Sequence, residues 1–307
     1  MDEETREELA EDVRVAVSVG RLDFPQLVED VVESWAEEVD DPAPLAEAVR
    51  EIAAREFAGH LAAQARWPEV TDCDRLSMAM LELAMAGIVP RECYMCCTGC
   101  GVDGISREVA GLGGVRGYVF YHQQDADRAA EGGGVFLAFG GDEDVAAIGA
   151  EIVQALGRRG LAVTWSGDAG QRIHVEVDWR RRRSGRLAAY PGAEGSSPEA
   201  QAAFCDYTTR SHDQAVAMSA RDCRDLLLRL TPYAGNFVSY EGRSGATVQF
   251  MWEEGFRLWA ETPDVAERCS HGRHVTVDEA LALVTSIARD DRVALADLGK
   301  LQVVPWD

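Results

Sequence analysis

Ile173-His174-Val175-Glu176-Val177-Asp178-Trp179 alternates apolar and polar side chains without a break. Successive side chains of a strand point to opposite faces, so this stretch predicts a half-buried strand with one wet face. Moving outward, residues 161–166 predict a neighbouring strand. Val145, Ile148, Gly149, Ile152, Val153 and Leu156 keep helical spacing, and the glycines at 157 and 160 stop that helix. Residues 117–122 and 134–140 are rich in aromatic and β-branched side chains and predict two more strands. Ahead of them, Leu76, Met80, Leu81, Leu83 and Met85 predict a helix capped by Asp72 and Asp74, ended by Gly87 and not continued past Pro90. A short helical turn is expected near residues 105–109. The order helix, cysteine loop, strand, strand, helix, strand, strand gives an α+β unit with helices on one side of the sheet.

Toward the N-terminus, three amphipathic helices are expected. Leu9, Val13 and Val17 mark the first; Leu27, Val28, Val31 and Trp35 mark the second, opened by Asp23; Leu45 to Arg66 forms the third, after a break at Asp41-Pro42-Ala43-Pro44. Toward the C-terminus, residues 184–198 are rich in Gly, Ser, Pro and Ala and read as a linker. The four arginines before it, 180–183, read either as a phosphate or acidic-partner patch or, more simply, as a solvated strand end docking on the acidic N-terminal helices. Beyond the linker, residues 220–230 predict a helix and 237–240, 246–252 and 256–261 a three-strand meander. Thr276 to Glu279 is a capping box for a helix over 277–289, and residues 303–306 suit an edge strand. The fold class is therefore α+β: an N-terminal helical unit (1–66), a cysteine-containing α+β domain (67–183), a linker (184–199) and a second small α+β domain (200–307), with mainly antiparallel sheets.

The chain has 307 residues, 47% apolar and 27% charged, which suits packed cores and argues against disorder. No apolar run approaches the roughly 20 residues of a membrane span, and the acidic start does not look like a secretory leader. A cytoplasmic location is expected. The net charge of −23 disfavours nucleic acid and anionic membranes and favours a basic protein partner. Residues 1–66 hold 18 acidic against 6 basic side chains, about half of that net charge.

Four of the eight cysteines fall inside Cys93-Tyr94-Met95-Cys96-Cys97-Thr98-Gly99-Cys100. Cys97 to Cys100 has the form of a zinc knuckle, two sulfurs three apart with glycine between and after. A knuckle is half a site. Its complement would come from Cys93 or Cys96 together with Cys73 or His122, and the adjacent Cys96 and Cys97 are expected to point apart. Three readings of the cluster stay open: structural zinc, buried thiols, and a redox pair. His122, with Gln123, Gln124 and Asp125, is expected at a strand end. His174 lies on the wet face beside Glu176 and Asp178, and His271 and His274 in a turn. Phosphate-loop, zinc-protease, serine-hydrolase and deaminase signatures are absent, so no catalytic residue is assigned.

Thr71 to Leu76, Gly87-Ile88, Cys96-Cys97-x-x-Cys100-Gly101, Arg116 to Asp125, Ile148-Gly149 and Asp178 to Arg182 resemble an actinobacterial family catalogued as domain of unknown function 6891, over about 67–183. The resemblance matches Cys73, Cys96, Cys97 and Cys100 to the family pattern, with Cys93 outside it, and implies no activity. The C-terminal part, with residues 235–238, 248–252, 258–263 and 272–276, is weakly similar to immunity proteins of bacterial toxin systems, which bind a partner and catalyse nothing. A non-enzymatic binding or regulatory protein follows, with Cys73, Cys96, Cys97, Cys100 and His122 as candidate zinc ligands. The alternative is a metal- or thiol-dependent enzyme or redox sensor using the Cys96/Cys97/Cys100 loop.

Overall fold

A computed structural model describes residues 3–37, 42–142, 144–192, 199–206 and 212–306. The predicted α+β class holds. The N-terminal unit is three helices, α1 (Glu3–Val19), α2 (Phe24–Trp35) and α3 (Pro42–Gln64). Gly20, at φ +71°, ends α1. Asp23 and Gln26 then exchange hydrogen bonds as a capping box that starts α2. Leu9, Val13, Val17, Leu27, Val49, Ile52 and Phe57 fill the space between them. Of the expected break at 41–44, Asp41 lies outside the described residues, and α3 begins at Pro42.

The central unit runs α4 (Asp72–Met85), β1 (Ile88–Arg91), α5 (Thr98–Val109), β2 (Gly117–Phe120), α6 (Gln123–Ala130), β3 (Val135–Gly141), α7 (Val145–Arg158), β4 (Ala162–Thr164) and β5 (Ile173–Glu176). Its strands lie in the order β1-β2-β3-β5-β4; β1 and β2 are parallel and the other pairs antiparallel. Four of these elements depart from expectation. Pro90 sits inside β1, which is tolerated because β1 is an edge strand. The turn near 105–109 is a three-turn helix that starts at Thr98. His122 begins α6, whose sequence is too polar to show an apolar stripe. The cap of α4 is Thr71, with Asp74 closing the box, rather than Asp72.

The C-terminal unit is a fully antiparallel seven-stranded sheet, ordered β12-β11-β10-β9-β8-β6-β7. Its strands are β6 (Ala200–Cys205), β7 (His212–Met218), β8 (Phe237–Glu241), β9 (Thr247–Glu253), β10 (Arg257–Asp264), β11 (Cys269–His274) and β12 (Gln302–Pro305). The expected meander is β8 to β10 and the expected edge strand is β12. His271 and His274 lie on β11, not in a turn. Two helices, α8 (Ala220–Arg229) and α9 (Val277–Asp290), pack on the sheet face that buries Val238, Tyr240, Val248, Phe250 and Trp252.

Helix α4 joins the two sheets. Cys73, Leu76, Met80 and Leu83 belong to the central core, while Met78 and Leu81 on its other side belong to the C-terminal core. From Arg181 onward the arginine run is a second junction and is buried or part-buried rather than solvated, whereas the Arg180 side chain stays partly exposed. Arg181 pairs with Glu92 at 2.9 Å, Arg182 with Asp74, and Arg183 is fully buried. His60 and Gln64 at the end of α3 hold the backbone of the run: His60 Nε2 lies 3.0 Å from the Arg181 carbonyl, and Gln64 both donates to and accepts from the Arg183 peptide at 2.8 and 2.7 Å. Of the expected linker, 193–198 lie outside the described residues. Its first part is anchored: a 3-10 turn (Gly185–Ala188) follows Arg183, Arg186 pairs with Asp23, and Tyr190 packs 5.9 Å from the Phe57 ring.

Candidate thiol and metal site

The cysteine loop connects β1 to α5 and is bent back on itself. Cys93 (φ 49°) and Met95 (φ 57°) both adopt the left-handed conformation, which costs roughly 1 kcal/mol or more at each non-glycine position. Backbone bonds hold the bend: Tyr94 N–H donates to the Tyr121 carbonyl at 2.8 Å, and Gln123 N–H to the Met95 carbonyl at 3.0 Å. Side chains tie both ends. Tyr121 donates to Glu92 at 2.9 Å, while Arg91 pairs with Glu108 of α5.

Cys97 then caps α5 in an extended conformation (φ −152°, ψ 171°). The chain turns through it so that the sulfurs of Cys96, Cys97 and Cys100 all lie within 4.8 Å of one another. The expectation that the adjacent Cys96 and Cys97 point apart is therefore wrong. The left-handed Met95 followed by a helix start brings both side chains to the same end of α5. Cys96 and Cys100 are exposed and Cys97 is half-buried, so burial does not explain these three. The amide of Cys100 and the thiols of Cys100 and Cys96 lower the pKa of Cys97, whereas hydrogen bonding to Cys96 and Cys97 pushes Cys100 up to about 11. Amide groups at a helix N-terminus favour negative charge. Three such sulfurs form a group that could hold a metal ion.

The other candidates lie elsewhere. Cys73 is buried on α4, where burial raises its thiol to about 12. Cys93 is half-buried against the central core and is pushed up to about 11 for the same reason. His122 caps α6. Its Nδ1 accepts from the Asp125 amide at 3.3 Å, and its Nε2 lies 3.0 Å from Asp125 Oδ2. Both ring nitrogens are thus engaged, and burial lowers the pKa of the ring. Arg172 links this pair to the thiol helix, reaching Thr98 Oγ1 at 3.2 Å, His122 Nε2 at 3.3 Å and Asp125. Sequence reading did not single out Arg172. It lies 74 residues from Thr98, and no local pattern joins them. On the wet face of β5, His174 Nε2 lies 3.2 Å from the Gly133 carbonyl.

Gly101 sets the position of α5. A Cβ there would sit 2.2 Å from Phe120 Cε2, a fully buried ring on β2. We expect Gly101→Ala to push α5 off the sheet at a cost of about 1–3 kcal/mol, the usual range for overpacking. Urea unfolding measures that cost, and a free-thiol titration rate at Cys97 reports the displaced helix. An unchanged midpoint and rate would mean that Phe120 yields freely.

The chain belongs to the family described as Domain of unknown function (DUF6891), whose model matches residues 2–183. The match takes in the three N-terminal helices as well as the central unit and ends at Arg183, the side chain that ties the two together. No curated protein and no solved structure matches the chain.

Proposed function

We propose that this member of the family is a cytoplasmic, non-enzymatic binding protein with a regulatory role, carrying zinc on the thiolates of Cys96, Cys97 and Cys100. One observation carries the metal assignment: the three sulfurs converge within 4.8 Å at the start of α5. A tetrahedral zinc with bonds of about 2.3 Å sets its sulfurs roughly 3.8 Å apart, so small rotations bring this group to that spacing. The helix amides favour the deprotonated thiols that zinc requires. Three protein sulfurs leave one tetrahedral position for a donor from outside the chain, which suits a site that responds to a partner. The net charge of −23 supports a basic protein as that partner. An immunity-like role for the C-terminal unit fits a binding protein of this kind and rests on its sequence pattern.

Metal analysis of reduced, tag-free protein tests the reading. About one zinc per chain is expected, lost together with some thermal stability in Cys97→Ser and Cys100→Ser and retained in Cys73→Ser. Zinc-free protein that takes up none from a zinc buffer overturns it. A second reading is supported by Cys97-x-x-Cys100 lying at a helix start. The Cys97 thiolate attacks an external disulfide and releases one thiol, and Cys100 then attacks the mixed disulfide and releases the other. Zinc-free protein that forms a Cys97–Cys100 disulfide, seen by mass spectrometry, would select it.

A further inference from the structure

A cavity of about 630 Å³ lies where the N-terminal helices, the turn after Arg183 and the C-terminal sheet meet. That volume is within the usual 300–1,000 Å³ of small-molecule sites, which favour such junctions. Leu22, Leu187, Phe204, Val216, Met218 and Leu226 are among its apolar wall residues. The charged groups in the wall are Arg21, Arg186, Arg229 and one carboxylate, Asp206.

The charges do not cancel. Asp206 already accepts the Thr231 amide at 3.0 Å and the Asn236 side-chain amide at 2.9 Å. Arg186 is paired with Asp23. The guanidinium of Arg229 donates to the carbonyls of Gly20 and Arg182 instead of to a carboxylate. Burial, then the charge of Arg181, push Arg229 down to about 10. Arg21 is exposed at the wall and forms no hydrogen bond or ion pair among the described residues, although its charge also acts on Cys93 and Asp127. Three arginines and one carboxylate thus line the cavity, although the net charge of the chain is −23 and Asp225, Glu92 and Asp74 also act on Arg229 from behind the wall.

We infer that this cavity binds a small amphiphile, an apolar body carrying an acidic head group, with the head at Arg21 and Arg229 and the body against Phe204, Met218 and Leu226. A guanidinium pairs well with carboxylate and phosphate oxygens, and the aliphatic wall receives a chain or ring. The site is separate from the thiol group, so its test stands apart from that of zinc.

The probe is the fluorescent anion 8-anilinonaphthalene-1-sulfonate, titrated into the full chain and then displaced. One saturable site is expected, emptied by decanoate and by decyl phosphate but not by decanol or decyltrimethylammonium. The ratio of the two anions' displacement constants identifies the preferred head group. Val216→Trp, a substitution at a solvent-exposed wall position, should remove the site by filling it. Arg21→Gln should weaken both anions about tenfold or more, as loss of a charge-assisted contact does. Circular dichroism melting confirms that both variants fold. Probe binding unchanged in folded Val216→Trp, or displacement by decanol as strong as by decanoate, overturns the proposal.

Discussion

Arg183→Ala is expected to lower folding stability by about 3–5 kcal/mol, among the largest effects of a single change. The guanidinium donates to the carbonyls of Val17 and Leu187, each at 2.7 Å, and to that of Leu22. It also lies 4.1 Å from the centre of the Phe57 ring. Alanine would orphan one buried acceptor and two part-buried ones, each worth up to about 1–3 kcal/mol when left unpaired, and remove a desolvated cation–π contact of roughly 2 kcal/mol. Relief of the cost of burying a charge offsets part of this; burial first, and the charge of Arg229 second, push Arg183 down to about 9. Arg183→Lys should rescue little, because an ammonium cannot reproduce the planar fork that reaches three carbonyls. Urea unfolding followed by circular dichroism measures the loss. A change below about 1 kcal/mol would mean that the arginine does not clamp the N-terminal helices to the rest.

The second large effect concerns pH. Asp225, on α8, is buried against Asp74 of α4, with Arg182 and Arg229 also facing it. Its Oδ2 meets no donor among the described residues. Burial first, and the Asp74 charge second, push its carboxyl up to about 7 from an ordinary 3.8. The folded state therefore holds a proton that the unfolded chain releases. The stability set by Asp225 is undiminished below about pH 4, falls as pH rises toward 7, and bears the full cost above it. That cost is on the order of 4 kcal/mol as an upper bound. Asp225→Asn should match the parent protein near pH 4 and exceed it increasingly up to pH 7. Denaturant midpoints across pH 4–8 give the difference curve. A variant curve parallel to that of the parent would show that Asp225 ionises freely in the fold.

Much of the architecture was legible in the chain. Helices α1 to α4, α7 and α9 announce themselves by apolar spacing and caps, and β2, β3, β5 and the meander by alternation or aromatic content. Strands β6, β7 and β11 were not expected from the sequence, and three further elements lack a local period. Helix α6 buries little beyond Ala126 and Ala129 on its apolar side, β1 is four residues long and includes a proline, and α5 opens with two glycines within its first four residues.

The candidate site divides along the same line. Cysteine spacing by itself made residues 93–100 a candidate thiol site, because Cys96, Cys97 and Cys100 are too close in sequence to be far apart in space. Composition likewise determined the acidic field. Which sulfurs meet was decided by the tertiary structure: the bend at Met95, the seating of Gly101 on Phe120, and the engagement of His122 with Asp125. The same holds for the arginine run, whose local sequence suggests a solvated strand end. Arg183 meets Val17 across 166 residues. A contact at that separation follows from how whole helices and sheets pack to bury apolar surface, and periodicity within a short window does not encode it.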